Sequence, residues 1–189
     1  MAHELIKREY IYRGKILDLS LSRYRSADRG EVLIEVVHHN GGAGALPVFE
    51  DGTVALVRQW RYPTGSYSLE IAAGRIEPGQ SPEETAAREL EEELGYRARE
   101  LHKIGEFYAA PGYCEERLYV YIATGLEESA QKLDDDEEIE VARMTLEEAI
   151  ALVHSGEISD AKTIIALLLA GQQGISQKSK VESPRTFDF

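Results

Sequence analysis

Cysteine is almost missing from this chain: 189 residues carry one, Cys114. An internal disulfide is therefore impossible and there is no cysteine cluster for a structural zinc. Cys114 reads as a packed small side chain rather than a nucleophile. Long apolar runs are also absent. The longest, Ile164 to Ala170, falls far short of the roughly 18 residues of a membrane span, and the first residues show no signal-peptide core. The expected location is the cytoplasm, with no membrane partner. Positive charge is scarce: 21 basic residues stand against 34 acidic ones, a net charge of −13, which argues against a surface for DNA or RNA backbones. Histidine offers little. His38 and His39 alternate across a presumed strand, so at most one faces any given site, and no histidine spacing suits a metal pair or a Ser-His-Asp relay.

The composition that remains, 43% hydrophobic and 29% charged, is that of one globular domain able to bury about two-thirds of its extended-chain surface. No internal repeat is present. The negative charge is concentrated in two places. Residues 83–93 hold six Glu and one Arg, and residues 134–140 hold six acids and no base, so these stretches carry −11 of the −13. Such concentration costs self-repulsion unless both segments are simply solvated or a cation sits between them.

Periodicity and turn chemistry divide the chain. The first 70 residues read as strands, with β-branched and apolar runs at Val32 to Val37 and Val54 to Trp60 bounded by Asp28-Arg29-Gly30 and Glu50-Asp51-Gly52. Strand character returns at Lys103 to Tyr108, Leu118 to Ala123 and Ile139 to Met144. The run Asn40-Gly41-Gly42-Ala43-Gly44 lacks the ending of a phosphate loop and reads as a plain loop. Three segments read as helices. Ser81-Pro82-Glu83-Glu84 is a capping box with proline at the first helical position, and Gly95 closes that helix. Thr145 with Glu148 repeats the box ahead of Gly156, and Ser159 or Asp160 opens a third, apolar helix that stops at Gly171. Strands and helices without regular alternation give an α+β class. Residues 172–189 show no period and read as a mobile tail.

On the first helix, Glu89, Glu92 and Glu93 share one face beside an apolar arc of Ala86, Ala87, Leu90 and Leu94. Like charges at such spacing repel, and a bound divalent cation reverses the sign. Magnesium suits such a site because it takes a few carboxylates, keeps waters and completes its shell with phosphate oxygens. An acidic, solvent-facing helix is the alternative. Arg88, four residues from both Glu84 and Glu92, is placed to brace the carboxylates.

Gly74 through Tyr96, GRIEPGQSPEETAARELEEELGY, resembles the Nudix box, G-x5-E-x7-R-E-U-x-E-E-x-G-U with U aliphatic or aromatic. Gly74, Arg88, Glu89, Leu90, Glu92, Glu93, Gly95 and Tyr96 occupy its defined positions, and Gln80 stands where the family has Glu. Gln80 keeps the capacity for a hydrogen bond to Arg88 and loses the charge. The flanks, Val57-Arg58-Gln59-Trp60-Arg61-Tyr62-Pro63, Leu69-Glu70-Ile71-Ala72-Ala73-Gly74 and Ala110-Pro111-Gly112-Tyr113 followed by Glu116, are similar to the ADP-ribose pyrophosphatase and nucleotide-sugar pyrophosphatase branch of that family.

The resemblance implies a Nudix α/β/α sandwich with a mixed β-sheet over 43–171, preceded by an N-terminal antiparallel sheet over 1–42 that joins a homodimer. It implies Mg2+, with Mn2+ as a substitute, held by Glu89, Glu93 and the carbonyl of Ala73. Gly74, Gln80, Arg88 and Gly95 are the structural positions of the box. Glu92 orients water or ligands at the metal, and Glu137, with Glu138 close behind, is the general base. Arg58, Arg61, Glu70, Pro111 and Glu116 are the substrate-binding candidates, while Trp60, Tyr62 and Tyr113 are open to base stacking, core packing or dimer contact. The implied reaction is hydrolysis of the pyrophosphate of ADP-ribose or a related nucleoside diphosphate sugar. Hydrolysis of a nucleoside triphosphate or dinucleotide polyphosphate, and non-catalytic nucleotide-sugar sensing, remain as alternatives.

Overall fold

The computed structural model describes residues 3–133 and 138–173. Three antiparallel strands come first, β1 (Glu4–Arg13), β2 (Asp18–Ser26) and β3 (Gly30–His38), forming a separate sheet in the order β1-β2-β3. Next come β4 (Gly42–Pro47), β5 (Thr53–Arg61), β6 (Ser66–Glu70), β7 (Ala72–Arg75) and helix α1 (Pro82–Leu94). Strands β8 (Tyr96–Tyr108), β9 (Arg117–Glu128) and β10 (Ile139–Thr145) and helices α2 (Leu146–Ser155) and α3 (Ala161–Gln172) complete the chain. Two sheets are built from these later strands: β10-β5-β6, antiparallel throughout, and β7-β4-β9-β8, in which β4 and β9 run parallel.

Strand alternation explains the layering. Successive side chains point to opposite faces of a strand, and here both faces are covered. Leu46, Val54, Leu56, Val120 and Ile122 enter one core with Leu146, Ala149, Ala166 and Leu167 of α2 and α3. Ala43, Ala45, Ala55, Val57, Tyr121 and Ala123 enter another with Ala86, Leu90 and Leu94 of α1. The result is an α/β/α sandwich. Its two sides differ in size: branched residues meet α2 and α3, whereas the bed under α1 is largely alanine, so α1 lies close to the backbone of β4 and β7.

The helix ends follow the local chemistry of the sequence. Ser81 and Thr145 form capping boxes with Glu84 and Glu148, and Gly95 and Gly156 adopt the left-handed conformation that ends α1 and α2. Asp160, rather than Ser159, caps α3, which continues one residue beyond Gly171 to Gln172. One expectation is overturned. The second half of the glycine run read as a loop, Gly42, Ala43 and Gly44, opens Gly42–Pro47, a fully buried strand inside the mixed sheet. Glycine is required there by crowding: a Cβ on Gly44 would lie 2.6 Å from Ala73 Cβ and 2.7 Å from the Ala72 carbonyl oxygen. Among the described residues no helix is long and apolar enough to cross a membrane.

The N-terminal sheet stands apart. All of β1 is exposed, and Ile11, Tyr12 and Leu33 are each more than half accessible. It is tied to the rest through Val37, whose N–H donates to the Tyr113 carbonyl (2.8 Å) and whose carbonyl accepts from Glu115 N–H (3.1 Å).

Candidate active site

The capped helix α1 and the short strand β7 build the site together. Glu89 and Glu93, one turn apart, are 8% and 3% exposed although they are carboxylates. Both meet β7. The Glu93 Oε2 accepts a hydrogen bond from the Ala73 N–H at 3.1 Å, and the Glu89 carboxylate lies over Gly74, where any Cβ would collide with it. This explains the glycine in chemical terms: its missing side chain is the space the carboxylate occupies. Ala73, Gly74, Glu89 and Glu93 are thus brought together.

Arg88 sits on the rim of this acid pair. Its Nη2 is 2.7 Å from Glu89 Oε1 and its Nη1 donates to Glu92 Oε2 at 2.6 Å. Burial opposes its charge, but Glu89 and Glu92 more than offset that and leave its pKa raised. The bracing therefore runs to Glu89 and Glu92, while Glu84, the other expected partner, is engaged in the capping box by the Ser81 N–H at 2.7 Å. Gln80 also differs from expectation. Its Oε1 accepts from the Thr85 hydroxyl at 3.2 Å, and the Arg88 Nε is buried with no hydrogen-bond partner among the described residues. Gln80 thus buttresses the first turn of α1 and leaves Arg88 to the glutamates.

The donor set is two hard carboxylates and a backbone carbonyl position at Ala73. Among the described residues no three acidic, histidine or cysteine side chains form a ready metal cage. Two carboxylates with the remaining positions left to water and phosphate oxygens fit a magnesium-type ion better than zinc, which prefers a closed shell of nitrogen and sulfur.

Beside the acid pair lies a second buried charge group. Arg61 of β5 grips Glu70 of β6 bidentately, Nε to Oε1 at 2.8 Å and Nη2 to Oε2 at 2.6 Å. Lys162 of α3 donates to the same Glu70 Oε2. Burial pushes the Glu70 carboxyl up, but the hydrogen bonds and charges of Arg61 and Lys162 prevail and hold its pKa down at about 2. The Arg61 pKa is raised first by Glu70, against burial, with the Glu93 and Asp160 charges adding to it. Arg61 is therefore within electrostatic reach of the acid pair.

The other expected substrate residues lie elsewhere. Arg58 projects from the opposite face of β5 to Arg61, pairing with Glu140 at 2.9 Å and covering the Tyr67 ring at 3.7 Å. Trp60 packs edge-on against Tyr67, and Tyr62 and Tyr113 are exposed. Pro111 and Glu116 belong to the loop between β8 and β9. That loop meets β3, and Glu116 there pairs with His39 at 3.4 Å. Glu138 is exposed just ahead of β10; Glu137 lies outside the described residues.

Three features escaped the sequence. Lys162 and Asp160 were visible only as part of a helix start. The Gln59 side-chain nitrogen is buried, with no hydrogen-bond partner among the described residues, on the same face of β5 as Arg61. Finally, Ser20, His38 and Glu115 line up, Ser20 Oγ 2.8 Å from His38 Nε2 and His38 Nδ1 2.7 Å from Glu115. That is the order of a hydrolytic relay, yet Ser20 is fully buried, so the chain of contacts serves as a strut between the N-terminal sheet and the β8–β9 loop.

The family model described as NUDIX domain matches residues 38–167. The chain is 40% identical over 169 residues to an ADP-ribose pyrophosphatase of Bacillus subtilis, covering 88% of this chain and 91% of that protein. It is 34% identical over 155 residues to a GDP-mannose pyrophosphatase of Yersinia enterocolitica, covering 75% and 80% of the two. A crystal structure of an ADP compounds hydrolase superposes with a TM-score of 0.79 at 23% identity, over 91% of this chain and 94% of that one.

Proposed function

The chain belongs to the Nudix hydrolase family, and on that footing we propose that it hydrolyses the pyrophosphate bond of ADP-ribose, yielding AMP and ribose 5-phosphate, in a Mg2+-dependent reaction. The observation that carries this reading is the pair of buried carboxylates, Glu89 and Glu93, closed against Ala73 and Gly74. Two such anions and a diphosphate gather in one place only around a cation. Glu89, Glu93 and the Ala73 carbonyl would hold Mg2+, or Mn2+ in its place, and the bound ion would neutralise charge growing on the phosphate oxygens.

The chain's own residues position and move protons. Arg61, oriented by Glu70, meets the anionic diphosphate, and Arg88 fixes the carboxylates of Glu89 and Glu92. Glu92 orients the attacking water. Glu137, or Glu138 beside it, takes the proton as the water oxygen bonds to phosphorus and the bridging P–O bond breaks, a general-base contribution of about 10²- to 10⁴-fold. Arg58, Pro111 and Glu116 reach substrate only from the far side of β5 and from the β8–β9 loop, where a second copy of the chain completes the site.

A panel of ADP-ribose, GDP-mannose and nucleoside triphosphates, with Mg2+ and with EDTA, tests the reading. ADP-ribose should give the highest kcat/KM, and EDTA should abolish it. Preference for GDP-mannose would select the activity named for the Yersinia relative, and metal-independent turnover would refute the site.

The exposed apolar side chains of β1 and β3 also support residues 1–42 as the contact of a homodimer. Light scattering should show a dimer that Ile11→Glu combined with Leu33→Glu reduces to monomers. A monomeric parent protein would refute this.

A further inference from the structure

We infer that Lys162 is a positioning residue for substrate: acting through Glu70, it holds the Arg61 guanidinium where an anionic diphosphate meets it. This rests on the reading of the chain as a nucleoside diphosphate sugar hydrolase and deepens it.

The parts form a continuous chain of charge from α3 to Arg61 on β5. Asp160 caps α3, its Oδ2 accepting from the Thr163 N–H at 2.9 Å and the Thr163 hydroxyl at 2.6 Å. The Thr163 hydroxyl oxygen in turn accepts from the Ile71 N–H at 2.9 Å, fixing α3 to the turn that follows Glu70. Lys162 is clamped between Asp160 at 3.0 Å and Glu70. Exposure rises along the series: the Glu70 side chain is 3% accessible, Lys162 13% and Arg61 39%. Arg61 is the member open to a ligand, and it forms part of the wall of a cavity of about 450 Å3 with Ser66, Ser68, Asp160 and Lys162.

Charge explains why the lysine matters. Arg61, Lys162, Glu70 and Asp160 form a balanced set of two cations and two anions. Without the lysine charge the set becomes net negative beside Glu93, in the place that receives a polyanion. Glu70 then has Arg61 as its remaining cation and draws the guanidinium further inward. Both effects weaken substrate capture, whereas Glu92 on α1, which orients the water, and Glu138 ahead of β10 are left in place.

Steady-state kinetics with ADP-ribose test this. Lys162→Met should raise KM about tenfold while kcat falls less than about threefold, and Lys162→Arg should restore most of the affinity. A purely structural role would instead lower kcat through loss of folded enzyme at unchanged KM, and that result, or unchanged kinetics, would overturn the inference. Calorimetric titration with Mg2+ and a non-hydrolysable ADP-ribose analogue reads the same affinity where nothing is turned over. Weaker binding by Lys162→Met supports positioning even if the parent protein proves inactive, a result that would refute the hydrolase reading alone. Equal affinity of parent and variant overturns positioning.

Discussion

Glu93→Gln should cut kcat on ADP-ribose by roughly 10³-fold at millimolar Mg2+. The substitution is nearly isosteric, and the amide oxygen can still accept the Ala73 N–H that Glu93 receives at 3.1 Å, so the β7 backbone stays where it is. What disappears is one of two negative charges in a site where Glu89 and Glu93 are almost inaccessible to water. Two measurements separate loss of charge from loss of fold. In EDTA the variant should keep a cooperative melting transition close to the parent Tm, because the amide matches the shape of the carboxylate it replaces. The rise in Tm that Mg2+ gives the parent should vanish, since a ligand stabilises only the state that binds it. Activity within about threefold of the parent would remove Glu93 from the metal shell.

Gly74→Ala is the second large effect. A methyl group there occupies the volume of the Glu89 carboxylate, and the side chain must leave or β7 must move. The ladder between β7 and β4, with Gly74 opposite Ala43, makes backbone movement the costlier route. Glu89 therefore swings out, and kcat should drop roughly 10²-fold with the fold intact by circular dichroism. Gly105→Ala is the matched control, since its added Cβ meets Leu169 at an ordinary 3.5 Å. Equal activity of parent and Gly74→Ala would show that the carboxylate works from another position.

The helices were legible in the sequence because their signals are local. Ser81, Thr145 and Asp160 act within three residues of themselves, and the spacing of Glu89, Glu92 and Glu93 on α1 follows from the helical period alone. Strand β4 was hidden for the opposite reason. Its Gly44 is fixed by Ala72 and Ala73 across the sheet, so a tertiary contact, not propensity, makes it a strand. The same limit concealed Lys162, whose partner Glu70 is 92 residues away. Arg58 and Arg61 were both expected at the substrate, although they are three residues apart on one strand, a spacing that sends them to opposite faces. The Gln80 contact was misjudged because Thr85, within the same turn of chain, competes for its carbonyl.

The alanine bed under α1 carries a consequence for how this enzyme tolerates change. Ala43, Ala45, Ala55, Ala72 and Ala123 are at most 2% exposed, and each sets how near the helix axis rides to β7. A single added methyl at any of them tilts the helix and displaces its carboxylates together, long before the protein unfolds. A mutational scan scored on catalysis should therefore return damaging hits in the heart of the molecule, among residues that never meet a nucleotide, while the branched side chains beneath α2 and α3 register chiefly as changes in melting temperature.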